Sequence, residues 1–118
     1  MKEIEVGEYV RTKEGEIHKV IKIIEDDGDW DYYCCENNAG YFAMDIAKHS
    51  KQLIDIIEIG DYVNGMEVLD IYKPRDLWEP IEIRVNSRYT NFILVDEIET
   101  ILTKESYMAN CYKVGGEQ

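Results

Sequence analysis

The stretch Ile4–Val10 reads IEVGEYV, and Ile57–Val63 reads IEIGDYV. Five of the seven positions are identical at a spacing of fifty-three residues, and the other two change conservatively, Val6 to Ile59 and Glu8 to Asp61. A recurrence of this kind points to a duplicated structural unit. The residues that follow support that reading. After the first copy comes TKEGEIHKVIKI, Thr12–Ile23, and after the second comes GMEVLDIYK, Gly65–Lys73. Each is a tight turn followed by an apolar-rich run. Asn64-Gly65 is a strong two-residue hairpin signal, and Gly15 serves the same purpose inside the longer loop Thr12–Glu16.

The parallel continues. Polar loops, EDDGD and KPRD, lead to Trp30 and Trp78. Strand-like runs follow at Asp31–Asn37 and Ile81–Asn86. In the second run Ile81, Ile83 and Val85 alternate with Glu82, Arg84 and Asn86, the pattern of a half-buried strand. Turns at Asn38–Gly40 and Ser87–Asn91 precede short strands at Tyr41–Met44 and Phe92–Val95. Ser50 and Thr103 are suited to cap short helical turns, and the apolar runs Leu53–Ile57 and Cys111–Val114 read as closing strands. The expected fold is mainly all-β: two tandem SH3-like five-stranded barrels, residues 1–56 and 57–118, each with a short helical turn before its last strand. A unit of fifty-odd residues is close to the lower limit for burying its own core. No Gly/Ser/Pro-rich linker separates the halves, so a rigid pair is expected.

Composition narrows the function. Of 118 residues, 45% are hydrophobic, enough for a packed core. No apolar run approaches the roughly 20 residues of a membrane span. The start, Met-Lys-Glu-Ile-Glu, has no apolar region of a secretory signal, which points to the cytosol. Three cysteines, two of them adjacent, argue against a disulfide framework. Adjacent strand positions face opposite ways, so one of Cys34 and Cys35 belongs to the core and the other to the surface. The charge is −12, shared as 13 acids and 7 bases before residue 57 and 12 acids and 6 bases after it. A direct reader of DNA or RNA carries the opposite sign. Only a cluster of Lys73, Arg75, Arg84 and Arg88 would reopen that possibility.

Motifs for catalysis are missing. The acidic stretch Asp26–Asp31 fails as a calcium loop: counted from Asp27, position six is Tyr32 where glycine is needed and position twelve is Asn38 where glutamate is needed. His18 and His49 lack a second ligand at zinc spacing. There is no phosphate loop and no Gly-x-Ser-x-Gly elbow. The expectation is a protein that is not an enzyme and uses no metal or cofactor. The informative residues are aromatic. Tyr9 matches Tyr62 and Trp30 matches Trp78, which favours a structural role for each pair. Tyr32 and Tyr33 follow Trp30, and alternation turns one of them outward. Asp26, Asp27, Asp29, Trp30, Asp31, Tyr32 and Tyr33 therefore form the candidate binding site, an acidic and aromatic patch suited to a partner protein with a basic surface.

The segments KHSKQLIDIIEIGDYVNGMEVLDI (Lys48–Ile71), ILTKESY (Ile101–Tyr107) and YKVG (Tyr112–Gly115) resemble a family of small acidic proteins encoded by phages and prophages of low-GC Gram-positive bacteria. The resemblance implies a phage-related origin and carries no catalytic or binding residue across. By class, it implies an inhibitor of a host enzyme or defence system, anti-CRISPR-like or a nucleic-acid mimic, acting in the host cytosol. The alternatives are a structural or assembly component of the phage particle and, more weakly, a nucleic-acid-binding small barrel.

Overall fold

The computed structural model describes residues 4–25, 31–76 and 78–111. The chain falls into two compact units, Met1–Ile57 and Glu58–Gln118. In the first, strands β1 (Tyr9–Thr12), β2 (Ile17–Ile24), β3 (Tyr32–Cys35), β4 (Gly40–Phe42) and β5 (Ile46–Ser50) form an antiparallel sheet in the order β4-β3-β2-β1-β5. In the second, β6 (Tyr62–Val63), β7 (Met66–Tyr72), β8 (Glu82–Asn86), β9 (Phe92–Leu94) and β10 (Ile101–Leu102) pair as β10-β6-β7-β8-β9. Relabelled from the start of each unit, the two orders are the same. The duplication seen in the sequence is thus a duplication of strand topology.

The repeated heptapeptide is a turn with a built-in clasp. Glu8 donates its N–H to the Glu5 carbonyl at 3.1 Å, and Asp61 donates to Glu58 at 3.1 Å. The third residue of each turn is Gly7 or Gly60, with φ of 95° and 98°, a conformation that needs glycine. The acid then reaches back: Glu8 Oε2 accepts the Glu5 N–H at 2.8 Å, and Asp61 Oδ2 accepts the Glu58 N–H at 2.8 Å. The valine that ends each motif, Val10 or Val63, is fully buried. The glycine, the acid and the valine of the repeat therefore each have a separate physical reason.

The hairpins also repeat. Gly15, at φ 91°, closes the turn from Thr12, and Asn64-Gly65, at φ 49° and 80°, links the paired residues Val63 and Met66. Register slips between Val20 and Lys22, and again between Val68 and Asp70. The bulge residues Ile21 and Leu69 are pushed outward, and each long strand bends there. Its two ends can then pair with different neighbours around one core. In the first unit that core holds Ile4, Val10, Val20, Tyr33, Cys35 and Ile46. In the second, Val63, Val68, Ile83, Val85 and Ile93 are buried. The alternation read in Ile81–Asn86 is borne out at Ile83 and Val85, which are buried, and at Arg84 and Asn86, which are exposed.

Three expectations are corrected. The sheets are open and are not closed barrels: β4 and β5 are edges of the first sheet, as β9 and β10 are of the second. β4 stops after three residues, where Asp45 Oδ2 accepts the Phe42 N–H at 3.3 Å and the chain coils through a 3-10 turn, Ala43–Asp45. Glu97 Oε1 does the same for the Leu94 N–H at 2.7 Å, ahead of the 3-10 turn Val95–Glu97. These turns interrupt the ladder that closure would require. They also stand before each last strand, whereas the helical turns expected at Ser50 and Thr103 come after it. Thr103 caps helix α1 (Lys104–Asn110) by accepting the Ser106 N–H at 3.2 Å. Leu53–Ile56, expected as a strand, is a 3-10 turn entered through Gln52. Of Cys111–Val114, only Cys111 lies within the described residues, and it follows α1.

Candidate protein-interaction surface

Asp26, Asp27, Asp29 and Trp30 lie outside the described residues. Asp31 and Tyr32 are half-buried. Tyr33 is corrected: at 7% exposure it belongs to the core cluster and offers nothing to a partner. Alternation along β3 decides this, since Tyr33 pairs with the inward-facing Ile23 and Tyr41 while Tyr32 turns the other way.

The outward face of β2-β3-β4 carries the row Ile24, Tyr32, Phe42 and the row Lys22, Cys34, Gly40, as the pairing register dictates. Ile24 is 47% exposed and Phe42 36%. Tyr32 meets Phe42 edge-on, with ring centroids 5.0 Å apart and planes at 65°. A Cβ on Gly40 would fall on Oη and Cζ of Tyr32, so the phenol occupies the space that the glycine leaves open. Along the chain, Glu25 follows β2 directly and Asp31 precedes β3. Cys34 is half-buried on this face and Cys35 is in the core, where burial raises its thiol pKa.

The equivalent face of the second unit differs. Its rows are Tyr72, Glu82, Leu94 and Asp70, Arg84, Phe92. In the loops before and after β8 two aromatic side chains are exposed: Trp78 is 81% exposed and Tyr89 95%. Trp78 therefore has no packing role, contrary to the expectation drawn from its match with Trp30. Tyr9 and Tyr62 are held as expected, Tyr9 under Lys19 Nζ at 5.5 Å and Tyr62 stacked on Tyr107 at 5.0 Å. The cations do not form a separate patch. Lys73 and Arg75 follow β7, Arg88 follows the far end of β8, and Arg84 is ion-paired with Glu82 at 3.2 Å beside Asp70. Acids interleave them, which suits phosphate contacts poorly.

Two polar clusters were invisible in the sequence. Tyr41 Oη donates to Glu16 Oε1 at 2.7 Å, and His18 Nε2 lies 3.0 Å from each of those oxygens. The hydrogen bonds from His18 and then Tyr41 hold the Glu16 carboxyl below its usual range. Burial, then the bond to Glu16, pushes the Tyr41 phenol above its ordinary value. Because the Glu16 value is depressed on folding, its contribution to stability is present at neutral pH and disappears as pH falls through the folded value, below 4.5. His18→Ala is expected to move the Glu16 titration upward, read by carboxyl chemical shifts between pH 2 and 7.

The second cluster joins His49 to a buried acid. His49 Nδ1 lies 2.7 Å from Glu8 Oε1, with the two side chains 11% and 4% exposed. They border a pocket of about 300 Å³ with Ser50, Lys51, Gln52 and Asp55. The Ser50 hydroxyl donates to Asp55 Oδ2 at 2.7 Å and accepts the Gln52 N–H at 3.1 Å. Its proton points to a carboxylate, so imidazole is not placed to activate it. Among the described residues no group of three or more His, Cys, Asp or Glu side chains could hold a metal ion. No described helix is long and apolar enough to cross a membrane. No family model, no curated protein and no solved structure matches the chain.

Proposed function

We propose that the chain is a non-catalytic binding protein of phage or prophage origin. It engages a protein with a basic surface, in the host cytosol, through the outward face of β2-β3-β4 in its first unit. The effect on the partner is inhibition of a host enzyme or defence factor, by occlusion or by mimicry of phosphate charge. We also read the order 5-1-2-3-4 in each unit, with a 3-10 turn before strand five, as SH3-like connectivity left open at its seam.

One observation carries the binding reading: Ile24, Tyr32 and Phe42 line a solvent-facing row on a chain of net charge −12. A half-buried tyrosine beside an exposed phenylalanine, on a strongly acidic chain, matches the anchor residues and steering charges of protein interfaces. The same charge repels nucleic acid and anionic lipid. Affinity capture from lysate of a low-GC Gram-positive host, at about 50 and 500 mM salt, tests it. The expected result is one stoichiometric partner, retained at low salt and lost with the double substitution Tyr32→Ala, Phe42→Ser. A wild-type chain that holds no salt-sensitive partner, or whose partner ignores that substitution, counts against the reading.

A further inference from the structure

We propose that the outward face of β2-β3-β4 is an arginine-binding platform: a partner guanidinium stacks on Tyr32 beside Phe42, drawn there by the negative charge of the chain. This rests on the binding-protein reading of the same face and names the side chain it takes.

The geometry begins with Gly40. Its φ is not in the left-handed region, unlike that of Gly7, Gly15, Gly60 and Gly65, so backbone conformation does not require a glycine there. What the missing side chain supplies is room. The outer half of the Tyr32 ring sits over Gly40, and the Phe42 ring meets it edge-on at 5.0 Å. The phenol is thus held on two sides before any partner arrives, which lowers the entropy cost of using it as a contact. A cation is the ligand that both an aromatic face and a negative chain attract. Arginine fits better than lysine, because a planar guanidinium stacks and still directs in-plane N–H groups at a carboxylate. The counter-charge comes from the chain as a whole, which carries −12. Lys22 lies one row away, opposite Cys34.

The second unit offers an internal comparison. At the places equivalent to Cys34 and Gly40 it has Arg84 and Phe92, cross-strand partners. There the sheet brings its own arginine alongside an aromatic residue. The first unit has the aromatic residue and no arginine. A second copy of the chain is a poor occupant, since it would bring two surfaces of the same negative sign together.

The probes are nona-arginine, nona-lysine and a nine-residue thymidine oligonucleotide, titrated into the full chain at about 150 mM salt with amide NMR as readout. The expected result is a two- to fivefold preference for arginine over lysine, shifts centred on Tyr32, Gly40 and Phe42, and no oligonucleotide binding. Gly40→Ala displaces the Tyr32 ring without touching a buried side chain. It is expected to abolish the preference while both peptides still bind through charge. Tyr32→Ser does the same by removing the ring, should Gly40→Ala perturb the strand. Equal binding of the two peptides, a preference that survives both substitutions, shifts centred elsewhere, or oligonucleotide binding overturns the platform. Equal peptide binding combined with a salt-sensitive captured protein would overturn the platform alone and leave the binding-protein reading standing.

Discussion

Asp61→Ala is expected to destabilise the second unit by about 3 kcal/mol, from the loss of two charge-assisted hydrogen bonds in a dry site. Asp61 is fully buried, and both of its oxygens are engaged. Oδ2 accepts the Glu58 N–H at 2.8 Å, and Oδ1 accepts the Lys104 N–H at 2.9 Å. The second bond fastens the start of α1. That helix has seven residues and is too short to persist by itself. Its other supports are the Thr103 cap, the pair Lys104 Nζ–Glu58 Oε1 at 2.7 Å and the stacking of Tyr107 on Tyr62. The carboxylate also places negative charge where the helix begins, a favourable position. Asparagine is not expected to rescue the loss. One of its two terminal atoms is a donor and would face a backbone N–H. Urea unfolding with amide exchange checks both variants, and protection at Ser106–Cys111 is expected to vanish first. An Asn variant as stable as the parent would refute this account of the clasp.

Arg11→Ala is expected to cost the first unit about 3–5 kcal/mol, the range for breaking up a buried charged group with its partners. Arg11 is 1% exposed in the middle of β1, and its Nη1 donates to the Ile56 carbonyl at 3.0 Å. That bond ties the strand to the end of the 3-10 turn Leu53–Ile56, where Ile54 and Ile56 are buried. Truncation leaves a cavity as well as an unsatisfied carbonyl. Arg11→Met keeps most of the volume and removes the charge, so its cost is expected near 1–2 kcal/mol. Chemical denaturation of the two variants measures the difference. Equal losses would show that the guanidinium's charge and its hydrogen bond, and not its volume, decide stability at this position.

These two residues also mark what could be seen in advance. The heptapeptide repeat made Gly7 and Gly60, and Val10 and Val63, legible as turn and core positions, because glycine and valine have narrow conformational and burial preferences. The acid in each copy looked like one more solubilising charge among 25. Its burial depends on a backbone N–H three residues earlier and on a partner more than forty residues away, His49 in one unit and Lys104 in the other. Arg11 was hidden for the same reason. Periodicity reports which face a residue is on, and does not report which distant carbonyl waits there.

The candidate surface divides in the same way. Alternation required one of Tyr32 and Tyr33 to face outward, and the register of β3 against β2 and β4 then chose Tyr32. Gly40, read as part of a turn, lies inside β4, and only the folded sheet shows that its missing side chain makes room for a phenol. Trp78 matched Trp30 in order along the chain, yet order does not fix burial, and its ring is exposed.

By itself the sequence determined the duplication, the hairpin turns, the alternation along the strands and the strongly negative charge. These follow from local chemistry: positive-φ glycines, period-two alternation and the count of ionisable groups. Tertiary structure alone decided that the sheets stay open, that Glu8, Arg11 and Asp61 are buried and satisfied, and that Tyr32 lies across Gly40. Each of those depends on groups far apart in the chain meeting at hydrogen-bonding or van der Waals distance, which no local pattern encodes.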